Sequence, residues 1–157
     1  MTDIERLHHS AYRCRDSEEM RSFYEHFLVL KLVNALTIAT QPSKPRLLQT
    51  FYAMNDGSCL HFFEEPNTPF DFKAQSNFNL HIALQVNKKA LLTMMEKGCS
   101  ESIETRGIAD HGFIQSIYFR DPNGYVLELS APKSDKPLRN IDAAKLLIRV
   151  SLWDRLG

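Results

Sequence analysis

The chain has 157 residues, 43% of them hydrophobic, enough for one domain or two small fused modules with a sizeable core. Nineteen basic and nineteen acidic side chains cancel, which removes the electrostatic footprint expected of a nucleic-acid or anionic-membrane binder and leaves a small molecule as the expected partner. The opening MTDIERLHHS lacks the blocks of a signal peptide and no apolar run approaches the ~20 residues of a bilayer span, so the cytoplasm is the expected location; Cys14, Cys59 and Cys99, odd in number and scattered, read as reduced and mostly packed thiols.

The first predicted strand is HSAYRC, His9 to Cys14. Asp16 with Glu19 three residues on has the spacing of a capping box, and Met20, Phe23 and Phe27 continue it as an amphipathic helix. Stretches rich in apolar, β-branched and aromatic residues, Leu32 to Ala39, Leu47 to Met54 and Ser58 to Phe63, complete a βαβββ unit, with Asn55-Asp56-Gly57 as the turn before the last strand. Glu65 to Asn77, rich in Pro, Asn and Phe, reads as a linker. A second unit starts with a strand over Phe78 to Val86, where HIALQV repeats the His-x-Ala-x-polar-apolar pattern of HSAYRC. Asn87 opens its helix, Leu91, Leu92 and Met95 form the apolar stripe, and Gly98 is expected as a left-handed C-cap. Strands follow at Ile114 to Phe119 and Tyr125 to Ser130 around the turn Asp121-Pro122-Asn123-Gly124; one strand that the repeat demands is not obvious. The expected organisation is one domain over 1–132, with modules at 4–64 and 78–132 and a linker at 65–77. A tail over 133–157 follows, in which Pro137, Ile141, Ala144, Leu147 and Ile148 suggest a helix that covers the sheet or contacts a second subunit.

Counting four residues past each turn glycine lands on His61 in the first unit and Glu128 in the second, which makes the two equivalent. Alternation on the His81 strand sets Phe78, Leu80, Ile82, Leu84 and Val86 on a core face and Asn79, His81, Ala83 and Gln85 on a polar one that looks like the floor of a cavity. Glu128 lies between the core positions Leu127 and Leu129, where an uncompensated carboxylate suffers a desolvation cost of several kcal/mol, so a cation or strong donor should meet it. His9 is preferred to His8 because it alone repeats the pattern of His81.

These residues also carry a resemblance to the vicinal oxygen chelate superfamily, which includes glyoxalase, fosfomycin-resistance and extradiol ring-cleavage enzymes. It covers roughly residues 4 to 132 and rests on the His9 strand ending at Asp16, FYEHFL at Phe23 to Leu28, the His81 strand and DPNGYVLEL at Asp121 to Leu129. The resemblance implies an α+β fold of two βαβββ modules forming a cupped mixed and antiparallel sheet with helices outside, and His9, His81 and Glu128 as ligands of a divalent metal. Two imidazoles and a carboxylate suit Fe(II), with Zn, Ni and Mn as alternatives. From His111 through Tyr118 to Glu128 the chain is similar to the extradiol dioxygenase signature, departing at Ala109 and in having no counterpart of the family's separate acid/base histidine near Ser58 or Cys59. The implied function is ring cleavage of a catechol-type substrate, with Tyr118 and His111 donating to bound oxygens. The alternatives are a glyoxalase-like lyase, isomerase or epimerase using His61 as base or fourth ligand, and a metal-free binding protein of the bleomycin-resistance kind. A homodimer is the expected assembly.

Overall fold

The computed structural model describes residues 3–39, 41–43, 45–76, 78–134 and 141–153. Module one runs β1 (His9–Cys14), α1 (Ser17–Arg21), a π-helical continuation (Ser22–Phe27), β2 (Lys31–Ile38), β3 (Leu47–Ala53) and β4 (Cys59–Glu64). Module two runs β5 (Ile82–Gln85), α2 (Lys88–Ser100), β6 (Thr105–Asp110), β7 (Ile114–Arg120) and β8 (Val126–Pro132), and α3 (Ile141–Trp153) follows. Each module is a βαβββ unit with its own four-stranded sheet, ordered β1-β4-β3-β2 and β5-β8-β7-β6. The β1/β4 and β5/β8 pairs are parallel and the rest antiparallel, so β1 and β5 are edges of their sheets. The α+β class and the doubled unit are those expected, with the two sheets separate. Among the described residues no helix is long and apolar enough to cross a membrane.

Local chemistry accounts for the helices. The Asp16 carboxylate accepts from the amides of Glu18 and Glu19 and caps α1, and Asn87 caps α2 through the amide of Ala90. Met20, Phe23 and Phe27 are buried as the helical spacing requires, against Tyr52, Leu60 and Phe62 of the same module.

The modules are joined on their helical side. The Tyr24 hydroxyl donates to the Asp121 carboxylate at 3.1 Å, and the Arg15 amide donates to the side chain of Asn123 at 2.9 Å. The Lys97 ammonium donates to the carbonyls of His26 and Phe27 at 2.9 and 2.8 Å, which ends the π-helical segment by filling its open acceptors. Phe27 meets Phe119 edge-on at 5.0 Å between centroids.

Several elements differ from the sequence expectation. The unseen strand is β6, TRGIAD, which breaks register between Gly107 and Ala109 and keeps most of its residues exposed. The strand expected over Phe78 to Val86 shortens to Ile82–Gln85; Phe78 is 99% exposed and His81 precedes the paired segment. Leu92 is exposed while Leu91 is buried. Gly98 lies inside α2 and is no cap: a Cβ there would stand 2.3 Å from Thr105 Oγ1 and 2.7 Å from Phe119 Cε1, so its lack of a side chain lets the helix approach the sheet. The three cysteines are free thiols, but Cys99 is exposed and not packed. Pro137 lies outside the described residues.

Two measurements check this account. Gly98→Ala should destabilise by about 1–3 kcal/mol, overpacking outweighing the roughly 1 kcal/mol gained in helix propensity, as read from the urea midpoint. Asp121 bears on pH dependence. Burial pushes its carboxyl up to about 6, against the lowering effect of hydrogen bonds from Tyr125, Tyr24 and Asn123. The folded carboxyl therefore binds its proton more tightly than an unfolded one at 3.8, and its contribution to stability rises as pH falls through that window and is lost as pH rises. Relative to Asp121→Asn, the wild type should be weakest at neutral pH and recover on the order of 1–3 kcal/mol on acidification to about pH 4. A wild type that loses stability relative to Asp121→Asn on acidification refutes the assignment.

Candidate metal centre

Register places the candidate residues in matching rows. Ala11 pairs with His61 and Phe51 pairs with His61 in module one; Ala83 pairs with Glu128 and Tyr118 pairs with Glu128 in module two. His9 and His81 each sit two residues before that alanine, so His9 corresponds to His81, His61 to Glu128 and Phe51 to Tyr118. The equivalence of His61 and Glu128 counted from the turns is the one the strands adopt.

In module two, His81 Nε2 lies 3.3 Å from Glu128 Oε2. Glu128 is buried at 7% exposure, and the Ser130 hydroxyl donates to its Oε1 at 2.7 Å, with the Ser116 hydroxyl 3.1 Å from that of Ser130. Burial alone would raise the Glu128 carboxyl; hydrogen bonds from Ser116 and Ser130 and the nearby His81 and His111 outweigh it and hold the group below its ordinary range. His111 Nε2 lies 2.9 Å from the Tyr118 hydroxyl. Burial first, and the Glu128 charge second, push the Tyr118 hydroxyl up, so it stays a protonated donor. Glu128, Tyr118, His81 and His111 thus form one connected group.

In module one, the His9 and His61 rings stack at 4.3 Å and 9°, and His9 Nδ1 lies 2.8 Å from His8 Nδ1. His61 is buried at 4% exposure, and burial followed by the neighbouring His9 and His8 holds its pKa below the usual imidazole value. The Gln49 side-chain nitrogen is 3.0 Å from His61 Nδ1. With that amide donating, His61 carries its proton on Nε2; an amide flip would offer the Gln49 oxygen, make Nδ1 the donor and free Nε2 for a ligand or a proton. The ring of Phe51, where module two has Tyr118, packs 4.2 Å from His61.

The six residues singled out in sequence therefore fall into two clusters, one per module. Among the described residues no three His, Cys, Asp or Glu side chains gather closely enough to hold a metal ion. The His81 and Glu128 pair nevertheless fits one: two donors each about 2.1 Å from an ion at roughly right angles sit about 3 Å apart. A cleft of about 1320 Å³ between the modules touches the site face at Ala83 and Gln85, but none of the six lines it. Gln49, Ser116 and Ser130, which hold the functional groups in place, escaped the sequence reading. Ser116 and Gln49 occupy equivalent rows, each two residues before the Tyr118 or Phe51 position, and polar residues inside otherwise apolar strands were the available signal.

Residues 6–129 match the family model described as Glyoxalase/Bleomycin resistance protein/Dioxygenase superfamily. No curated protein matches the sequence. Among solved structures, a glyoxalase/dioxygenase from Nostoc punctiforme superposes with a TM-score of 0.62 at 20% identity, covering 84% of this chain and 94% of that one. A mutant of the genomically encoded fosfomycin resistance protein FosX from Listeria monocytogenes, complexed with Mn(II) and a dihydroxypropylphosphonic acid, gives 0.64 at 18% identity, covering 87% of this chain and 99% of that one. An antibiotic-binding protein from a Streptomyces species gives 0.62 at 16% identity, covering 85% and 100%. At such identities the likeness is one of fold.

A carboxylate kept for a ligand should contribute little to stability. The Glu128 carboxyl, held below its ordinary range, adds modestly to stability at neutral pH, so in metal-free protein Glu128→Gln should unfold slightly below the wild-type midpoint, with a gap that closes on acidification, whereas Leu129→Ala beside it should lose about 2–5 kcal/mol. A loss above roughly 2 kcal/mol for Glu128→Gln would mark the carboxylate as structural.

Proposed function

We propose, for a chain that belongs to the Glyoxalase/Bleomycin resistance protein/Dioxygenase superfamily, a divalent-metal enzyme acting on a small molecule that presents two neighbouring oxygens. The observation that carries this reading is the buried, Ser130-buttressed Glu128 with His81 Nε2 at 3.3 Å, a two-donor half of a metal site. His9 is the third ligand in this reading. It lies on β1, an edge strand, as His81 lies beside the edge strand β5, so the reading has His9 of a second copy complete the set. Two imidazoles and one carboxylate leave coordination positions open, and Fe(II) is the favoured ion. When bound, the metal acidifies a chelating hydroxyl and fixes the substrate's two oxygens. The chain's own groups do the rest. Ser130 orients Glu128, and Tyr118, held by His111, donates a hydrogen bond to a substrate oxygen or passes it a proton. The finer reading is oxidative ring cleavage of a catechol-type substrate. A second reading, proton transfer next to a carbonyl or addition of water, is favoured by His61, a buried imidazole stacked on His9.

Metal analysis of protein purified without oxygen, beside His81→Ala, Glu128→Ala and His9→Ala, tests the proposal. Metal at about one ion per chain, lost in all three variants, is the expected result. Iron with oxygen uptake on catechols, and a drop of roughly 10²–10⁴-fold in turnover for Tyr118→Phe, supports ring cleavage. Manganese, zinc or nickel without oxygen uptake supports the second reading. Failure to take up any offered metal overturns both and leaves a binding protein.

A further inference from the structure

His9 is held from two sides. Its ring lies on that of His61 at 4.3 Å with 9° between the planes, and its Nδ1 is 2.8 Å from Nδ1 of His8. The Cys59 amide donates to the His8 carbonyl at 3.1 Å, so the backbone of His8 is tied to β4 while its ring turns edge-on to that of His9 at 5.1 Å. These contacts fix the plane of the His9 ring and engage one of its two nitrogens. The two nitrogens of an imidazole point in divergent directions, so Nε2 of His9 is directed away from His8. A bond between two Nδ1 atoms holds one proton, and its two polarities differ in what they leave at Nε2. With His8 donating, His9 carries its proton on Nε2 and has no lone pair there. With His9 donating, Nε2 carries a bare lone pair. Module two indicates which nitrogen matters: in His81, matched to His9 by the repeat, Nε2 is the atom that faces Glu128 at 3.3 Å.

We propose that His8 is a positioning residue: its Nδ1 accepts from the Nδ1–H of His9 and so holds His9 in the tautomer whose Nε2 can ligate a divalent cation. The inference rests on the reading of His9 as a metal ligand. A cation at Nε2 polarises the Nδ1–H and strengthens its bond to His8, so the contact and the ligation support each other. The device belongs to module one alone, because the residue before His81 is Leu80, whose side chain accepts nothing. His8 is thus no ligand itself and acts through His9.

Imidazole ¹⁵N spectra of the metal-free full chain, recorded at about pH 8.5 where both rings are neutral, test the tautomer. The wild type should show His9 with its proton on Nδ1 and a ¹⁵N–¹⁵N coupling across the bond to His8. His8→Leu should move that proton to Nε2, with the His9 and His61 stack and the unfolding midpoint unchanged. His8→Asn, whose Oδ1 takes the place of Nδ1 as acceptor, should return it to Nδ1. In a zinc titration the dissociation constant should rise about 10–100-fold in His8→Leu and recover in His8→Asn. A wild-type His9 with its proton on Nε2 overturns the proposal, as does a tautomer or a zinc affinity that His8→Leu leaves unchanged. A wild type that takes up no zinc or other divalent metal counts against the ligand reading of His9, whereas the spectra of the metal-free chain decide by themselves whether His8 sets the tautomer.

Discussion

The buried turn that opens at Asp121 is the constraint on which the molecule depends. A five-residue connection between two antiparallel strands would ordinarily face solvent, yet Asp121 and Asn123 are 4% and 6% exposed because the helix of module one lies across them. Each polar group placed there has a partner. The Asp121 carboxylate accepts from the amides of Asn123 and Tyr125 and from Tyr24, and Asn123 accepts from the Arg15 amide. A half-satisfied version of this seam would leave a buried carboxylate uncompensated at a penalty of several kcal/mol. Fixing the modules at this face also decides what remains open. β1 and β5, with His9 on one and His81 just ahead of the other, are outer strands of their sheets, as β2 and β6 are at the opposite edges.

The same turn explains how much of the fold was legible. DPNG and NDG are read from the residues themselves, since positive φ at Gly57 and Gly124 and side-chain acceptance by Asp56 and Asp121 are local properties. Counting from them aligned the repeat and made His61 and Glu128 equivalent without any tertiary information. β6 was not legible because its residues face solvent and its register slips at Gly107, so neither alternation nor apolar content marks it. Phe78 misled for the opposite reason: its apolar side chain continued the alternation of Ile82 and Leu84 beyond the point where pairing with β8 begins. Gly98 was read by its frequent role as a helix cap, whereas its reason here is the distance to Thr105 and Phe119, a quantity that exists only once α2 packs on β6 and β7. The candidate residues could be singled out in the sequence, but their separation into two clusters is set by module packing and could not be read from spacing.

Duplication gives the two clusters the same scaffold and different chemistry. In module two the row carries a carboxylate, a phenol and a supporting serine pair; in module one it carries an imidazole, a phenyl ring and a supporting glutamine. The supporting groups match the residues they serve. Serine hydroxyls donate to an anion, and a carboxamide, able to donate or accept after a flip, suits a neutral imidazole of either tautomer. Phe51 in place of Tyr118 removes a hydroxyl from the module-one row, so of the two rows only the one with Glu128 carries a phenol.

This asymmetry also sets the charge of the proposed centre. With His9 and His81 neutral and Glu128 ionised, the ligand set carries a single negative charge and a divalent ion there keeps one positive charge uncompensated. A glutamate at the His61 position, as the repeat would place it, would cancel that remaining charge. The His61 imidazole leaves it to draw an anionic or readily deprotonated chelate, and burial keeps that imidazole from becoming a competing cation. The imidazole at the point of the repeat where module two has a carboxylate would thus leave the proposed centre suited to an acidic pair of oxygens, the class of small molecule it is proposed to take.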